Sequence, residues 1–194
     1  RCPLGRARGG HSMSTTTPMK GVNVGRSLDR LAHEIIEQQG APGDWALVGI
    51  VTGGQHLAAR LADRIASITG VRPSTGTVDI TLYRDDLYTG LEKPVLGETQ
   101  LPFSLSGTGV ILVDDVLFTG RTVRAAMDAI MDYGRPRFIK LAVLVDRGHR
   151  ELPIAADFVG RTLPTDISDR VRVDLTESGK DADGVRVIPE GGQV

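Results

Sequence analysis

The chain has 194 residues, with 23 Lys and Arg against 24 Asp and Glu, a formal net charge of −1 and a hydrophobic fraction of 40%. A chain of this size buries roughly 70% of its unfolded surface, enough for one domain with a real core, and its global charge points to no particular partner. A single cysteine, Cys2, excludes a disulfide framework and a cysteine-rich metal site, so a reducing, cytoplasmic setting is expected. No apolar run reaches the roughly 18 residues that span a bilayer, so no membrane partner is expected. Arg1, Arg6, Arg8 and Lys20 are followed by no apolar segment, unlike a signal peptide. Residues 1–19 read as a disordered leader and residues 20–194 as a single domain.

Leu28, Leu31, Ala32, Ile35 and Ile36 recur with helical spacing after Ser27, which reads as an N-cap. The run Ala46–Val51 is a short, fully buried strand leading into Thr52-Gly53-Gly54, and a second helix places Leu57, Leu61, Ala62 and Ile65 on one face. Thr77–Tyr83 alternates Val78, Ile80 and Leu82 as a strand should. Arg84–Gly109 has no periodicity, and a stretch of that length inside a domain is either functional or disordered. Strand Val110–Val113 then meets a polar turn. The next helix turns Val123, Ala126, Met127, Ile130 and Met131 inward and closes at Gly134. Phe138–Val145 is almost wholly apolar and reads as a central strand; weaker strands follow at Asp157–Gly160, Val171–Leu175 and Val185–Ile188. Apolar strands alternating with helices imply a parallel α/β sheet. Ligands bind beyond the carboxyl ends of such strands, so the loops Thr52–Gln55, Asp114–Arg121 and Asp146–Arg150 are expected to line one face.

The segment VILVDDVLFTGRT, Val110–Thr122, carries the chemistry. A buried strand ends in Asp114 and Asp115, and Val116, Leu117 and Phe118 lead to Thr119-Gly120-Arg121-Thr122 at the start of a helix. Backbone N–H groups, the hydroxyls of Thr119 and Thr122 and the positive helix end, worth about half a charge, make a phosphate cradle. Gly120 lets the backbone come close to the phosphate. Carboxylates repel phosphate, so Asp114 and Asp115 suit another part of the ligand, such as the vicinal diol of ribose. The P-loop ending is absent, and VTGGQH at Val51–His56 lacks the spacing of a dinucleotide-binding turn.

That segment resembles the phosphoribosyl pyrophosphate (PRPP) signature of type I phosphoribosyltransferases. More narrowly, RLAHEII (Arg30–Ile36), LVGI (Leu47–Ile50), DITLYRDDL (Asp79–Leu87), Val110–Ile130 and GRPRFIKLAVLVDRGHRELPI (Gly134–Ile154) resemble the PyrR family of pyrimidine-operon attenuation regulators that also act as uracil phosphoribosyltransferases. The resemblance implies a type I phosphoribosyltransferase fold: a central parallel sheet flanked by helices, a lid loop, and a small hood drawn partly from the C-terminal part. It implies the reaction of PRPP with uracil to give UMP and pyrophosphate, with Mg²⁺ carried by PRPP and no direct protein ligand assigned. It places pyrophosphate at Thr52, Gly53 and Gly54, with Arg84 and Asp85 on the lid. Pyrimidine-operon leader RNA falls to Arg30, His33, His149, Arg150, Arg161 and Thr165, and a homo-oligomer is implied.

The chain departs from that pattern where the family usually has Thr-Arg-Gly. Here the turn reads Thr52-Gly53-Gly54. The amide nest survives, but one charge-assisted contact to the leaving group is lost, which costs about 1.5–3 kcal/mol, an order of magnitude or more in rate. Restoring arginine at position 53 is therefore expected to raise turnover. On the RNA side, Arg121–Arg150 carries seven Arg or Lys against three Asp, a local net of +4. Yet Ala155 stands where the family has arginine, and Asp166 adds an acid beside Thr165. His33 also reads as a packed or solvated histidine, Arg147–Arg150 as a solvated loop, and Asp85-Asp86 as plain loop carboxylates. Three readings stay open: an active uracil phosphoribosyltransferase, an RNA-binding regulator with weak or no catalysis, and a phosphoribosyltransferase for another base.

Overall fold

The computed structural model describes residues 19–83 and 97–191. The leader through residue 18, Arg84 and Asp85 lie outside them. The elements in chain order are β1 (Met19–Lys20), α1 (Gly21–Gln39), β2 (Trp45–Ile50), α2 (Gly53–Thr69), β3 (Ser74–Val78), β4 (Gly109–Leu117), α3 (Arg121–Tyr133), β5 (Phe138–Asp146), β6 (Phe158–Thr162), β7 (Arg170–Asp174) and β8 (Gly184–Ile188).

Five strands form one parallel sheet in the order β3-β2-β4-β5-β6. Side chains alternate across a strand, and two cores follow. Leu47, Ile111, Val113, Ala142 and Leu144 pack beneath α1 and α2. Val48, Ile50, Val110, Leu112 and Val143 face the opposite side with Val123, Ala126 and Ile130 of α3. Strand β4 is the middle strand, while β5 is paired on both sides one place from the edge.

A second, antiparallel sheet, β1-β8-β7, forms the hood. Leu175 and Val185 anchor it in the α1–α2 core. Arg60 of α2 secures it further: Nε donates to Glu177 Oε1 at 2.7 Å and a terminal nitrogen donates to Asp183 Oδ1 at 2.9 Å. The Arg60 guanidinium holds the Glu177 carboxyl down to about 2.

Several element boundaries differ from the sequence expectations. Helix α1 begins six residues before Ser27, because Val24 extends the apolar face by one turn; Val24 is fully buried and Ser27 lies inside the helix. Strand β3 ends at Val78, and Thr81–Tyr83 is a 3-10 turn. The Asp79 side chain takes the Thr81 N–H at 2.8 Å, which ends the ladder, and Leu82 faces solvent. In α3 Met131 is exposed and Met127 half-buried, since Ala125 and Ala129 fill the inner face instead. Strand β4 continues four residues past Val113, so the acidic pair lies within the strand rather than in the turn after it.

Candidate active site

The carboxyl ends of β2, β3 and β4 open into a cleft of about 340 Å³, lined by Thr52, Gly53, Asp79, Thr81, Asp114, Asp115 and Thr122 among others. Three segments far apart in sequence thus meet at one place, as a parallel sheet requires.

Asp114 is buried and Asp115 half-buried. The Asp115 N–H donates to Asp114 Oδ1 at 2.9 Å, and the Val116 N–H donates to Asp115 Oδ1 at 2.8 Å. Burial, reinforced by the neighbouring Asp115 carboxylate, pushes the Asp114 carboxyl well above the usual range. Burial raises Asp115 as well, against the hydrogen bond from Val116. Such a pair holds a proton or a neutral hydroxyl donor more readily than an isolated carboxylate does.

Beyond the pair, the chain turns through Leu117, Phe118 and Thr119 to Gly120, whose φ of +93 starts α3. The following segment holds this turn from behind. Arg147 N–H donates to Leu117 O at 3.1 Å, and the Glu151 and Leu152 N–H groups donate to Thr119 O at 3.0 and 3.1 Å. Arg150 donates to Phe118 O at 2.8 Å. In a trans peptide the N–H points opposite to the C=O. Drawing the carbonyls of residues 117–119 toward this clasp therefore turns the N–H groups of Phe118, Thr119 and Gly120 away from it. Together with the positive end of α3, a 13-residue helix, they form a turn whose donors and dipole suit an anion. Arg121, at the first position of α3, pairs with Glu151 at 2.7 Å.

Across the cleft, Val51–Thr52 is a cis peptide and Gly53 opens α2. The second glycine of the turn is a packing requirement: a β-carbon on Gly54 would lie 2.2 Å from Val113 O. Gly53 faces Asp115 instead, where a β-carbon would lie 2.4 Å from Oδ2. The turn therefore rests directly on the end of β4.

Asp79 is the site residue that sequence reasoning did not single out. Its Oδ1 accepts from Thr81 N–H at 2.8 Å and Thr81 Oγ1 at 2.6 Å, and its Oδ2 accepts from Gly97 N–H. Burial alone would raise this carboxyl, but the hydrogen bonds from Thr81 and Gly97 outweigh it and hold it below its usual value. The available signal was Asp79-Ile80-Thr81, an Asx-turn pattern hidden by the apolar alternation around it.

The residues matched to RNA contacts fall along the β6 side. Arg30 donates to Val159 O at 2.8 Å and to Gly160 O, beside exposed Arg161. His33 is exposed one turn further along α1. His149 is exposed, with Nε2 2.7 Å from Thr165 O, while the Thr165 hydroxyl accepts from Arg147 at 3.0 Å. Arg150 points inward, to the carbonyls of Phe118, Gly148 and Ile154 and to the Asp146 carboxylate. Buried Arg147 stacks on Phe118 with its guanidinium carbon 4.1 Å from the ring centre and donates to Asp166 O and Asp169 O.

No helix among the described residues is long and apolar enough to cross a membrane. Comparison with known proteins matches residues 20–177 to the phosphoribosyl transferase domain. Solved structures share the fold: the hypoxanthine phosphoribosyltransferase of Trypanosoma cruzi has a TM-score of 0.65 at 18% identity, covering 89% of this chain and 95% of that one. A hypoxanthine phosphoribosyltransferase from Staphylococcus aureus has a TM-score of 0.58 at 19% identity, covering 77% and 78%. Sequence relatives are far nearer. The "Bifunctional protein PyrR" of Pelotomaculum thermopropionicum is 58% identical over 154 residues, 79% of this chain and 85% of that protein. The protein of the same name from Deinococcus deserti is 57% identical over 155 residues, 80% and 85%. With the parallel sheet and the acidic strand end in place, these matches assign the chain to the PyrR family of phosphoribosyltransferases.

Proposed function

We propose that this protein transfers phosphoribose from PRPP to uracil, giving UMP and pyrophosphate, and that it binds pyrimidine-gene leader RNA in a nucleotide-dependent way. One observation carries the first half. The acidic strand end at Asp114–Asp115, Thr122 at the start of α3, and Thr52 and Gly53 all line one cleft. In this reading the Thr119–Thr122 backbone takes the 5′-phosphate, the acidic pair accepts the ribose hydroxyls, and the amides of Thr52–Gly54 take pyrophosphate. Uracil N1 attacks C1′ as the bond from C1′ to the pyrophosphate oxygen breaks, and the N1 proton is released to solvent as pyrophosphate leaves. The protein's part is to orient both partners, exclude water and meet the developing charges with fixed dipoles.

The donor set of the cleft suits Mg²⁺, a hard cation that prefers oxygen and stays partly on substrate phosphates. Among the described residues no group of three His, Cys, Asp or Glu is placed to hold a metal. PRPP oxygens would carry the ion, with no direct protein ligand assigned. When bound, it neutralises charge on the leaving pyrophosphate.

The RNA half rests on the name the relatives carry and on exposed Arg161, beside Arg30, whose guanidinium also pairs with Glu34. The likeness to hypoxanthine enzymes extends to the fold alone, and uracil follows from the PyrR resemblance. Incubation with PRPP, Mg²⁺ and a panel of uracil, hypoxanthine and guanine tests the assignment. UMP should form, and IMP or GMP without UMP would reassign the base. Binding to pyrimidine leader RNA should weaken steeply with salt and strengthen with UMP. Equal affinity for an unrelated hairpin would remove the regulatory half.

A further inference from the structure

Asp79 lies at the carboxyl end of edge strand β3, in the wall of the cleft, yet nothing in the proposed chemistry uses it. A bare carboxylate there would repel a pyrophosphate group. This one is covered by three donors from two sides. Thr81 supplies its N–H and hydroxyl to Oδ1, and Gly97, eighteen residues along the chain, supplies its N–H to Oδ2. The Asp79 N–H in turn donates to Thr99 Oγ1 at 3.0 Å. Behind it, Thr77 and Gln100 exchange two backbone hydrogen bonds at 2.8 and 2.9 Å, so the returning chain adds to the edge of β3.

The tie sits directly against the turn that begins α2. The Val51 N–H donates to Val78 O at 3.0 Å, next to Asp79. An ideal β-carbon on Gly97 would lie 3.1 Å from Asp79 Oδ2 and 3.3 Å from Val51 Cγ1, so Gly97 is wedged between the carboxylate and the turn. Asp79 thus joins three things: the end of β3, the stem that returns at Gly97, and the flank of Val51–Gly53.

We infer that Asp79 is a positioning residue for the pyrophosphate end of PRPP, which sets the cleft wall beside Thr52–Gly54 by holding Thr81 and Gly97 together, without touching substrate. The inference rests on the phosphoribosyltransferase reading of the cleft. A carboxylate accepts from both sides at once. An amide at this position offers one oxygen and turns an NH₂ group toward a donor, so Asp79→Asn keeps the size and breaks one side of the tie.

The test compares two ligands that differ in the pyrophosphate. Calorimetric titration of the full chain with PRPP and Mg²⁺, and separately with UMP, is carried out for the wild type, Asp79→Asn and Thr81→Val. Asp79→Asn should weaken PRPP about tenfold, equivalent to about 1.4 kcal/mol, and leave UMP affinity within twofold. Thr81→Val removes one donor to the same carboxylate, keeps the side-chain volume, and should show the same split more weakly. A general structural role would weaken both ligands together. Equal losses for PRPP and UMP, or unchanged PRPP affinity in both variants, would overturn the inference. Should the wild type bind PRPP but make no UMP, the uracil assignment fails while the Asp79 result still stands. A wild type that binds no PRPP would overturn both.

Discussion

Gly53 and Asp115 touch across the cleft so closely that a β-carbon on the glycine would stand 2.4 Å from Asp115 Oδ2 and 3.1 Å from Asp115 Cβ. The sequence comparison treats Gly53 as a lost cation. The structure shows that it is also the space in which the Asp115 carboxylate rests. Any side chain at 53 must turn that carboxylate aside by rotating its χ1, because the turn itself is fixed from below. Gly53→Ala isolates this effect and should weaken PRPP several-fold with little change in melting temperature. Gly53→Arg adds both the clash and a cation, so its turnover should exceed that of Gly53→Ala while falling short of a simple tenfold gain over the wild type. Steady-state kinetics on the three proteins checks the order. A full tenfold gain from arginine would show that Asp115 moves at no cost.

The neighbouring glycine should behave differently. At Gly54 the obstruction is backbone, the Val113 carbonyl oxygen at 2.2 Å, which has no rotamer to adopt. Gly54→Ala must separate α2 from β4 and should destabilise the fold by about 2–3 kcal/mol or more. Denaturant unfolding measures this directly, and a loss below 0.5 kcal/mol would contradict the packing.

Asp114 sets stability against binding. Its carboxyl is pushed up by burial and by Asp115, so ionising it in the folded protein is unfavourable. A folded-state pKa above the unfolded one gives stability that is complete below the ordinary carboxylate range and is lost as pH rises toward the folded value. Asp114→Asn keeps the acceptor for the Asp115 N–H and removes the buried charge. It should therefore raise the melting temperature by a few degrees at neutral pH while weakening PRPP. The gain should shrink as the pH is lowered. A variant that melts lower at pH 7 and still binds PRPP normally would show the role of Asp114 to be structural.

The hood has its own pH signature. Glu177 is lowered from 4.5 to about 2, first by its hydrogen bond with Arg60, and a depressed acid stabilises above its unfolded pKa and loses that contribution as pH falls toward 2. Glu177 is more than a third exposed, so screening cuts the shift to about 1–2 kcal/mol of stability. The difference in unfolding free energy between wild type and Glu177→Gln should be of that size at pH 7 and vanish between pH 4.5 and about 2. A difference that does not vary with pH would mean that the pair is not what docks the hood.

The middle of the sheet was legible because β2 and β4 are apolar on both faces: Leu47 and Val48, or Ile111 and Leu112, point to opposite cores and leave no polar alternation to misread. The turn before α3 was legible because Thr119, Gly120 and Thr122 fall within four residues at a strand-to-helix junction. Asp79 escaped because its partners lie at Thr81 and at Gly97, and no local pattern shows a contact that closes over eighteen residues. The inward aim of Arg150 was equally hidden. From sequence it is one more cation in a basic stretch, while in the fold its donors meet the carbonyls that shape the turn. Glycine at 53 reads as a missing arginine until the Asp115 carboxylate beside it is seen.

The central claim is that phosphorylated ribose is held at the end of β4 and the start of α3. Amide resonances followed during titration with UMP test it most directly. Saturable shifts should centre on Thr119, Gly120, Arg121 and Thr122, with Asp115→Asn weakening the affinity while the same amides still respond. Shifts confined to other parts of the chain, or none at millimolar UMP, would contradict it.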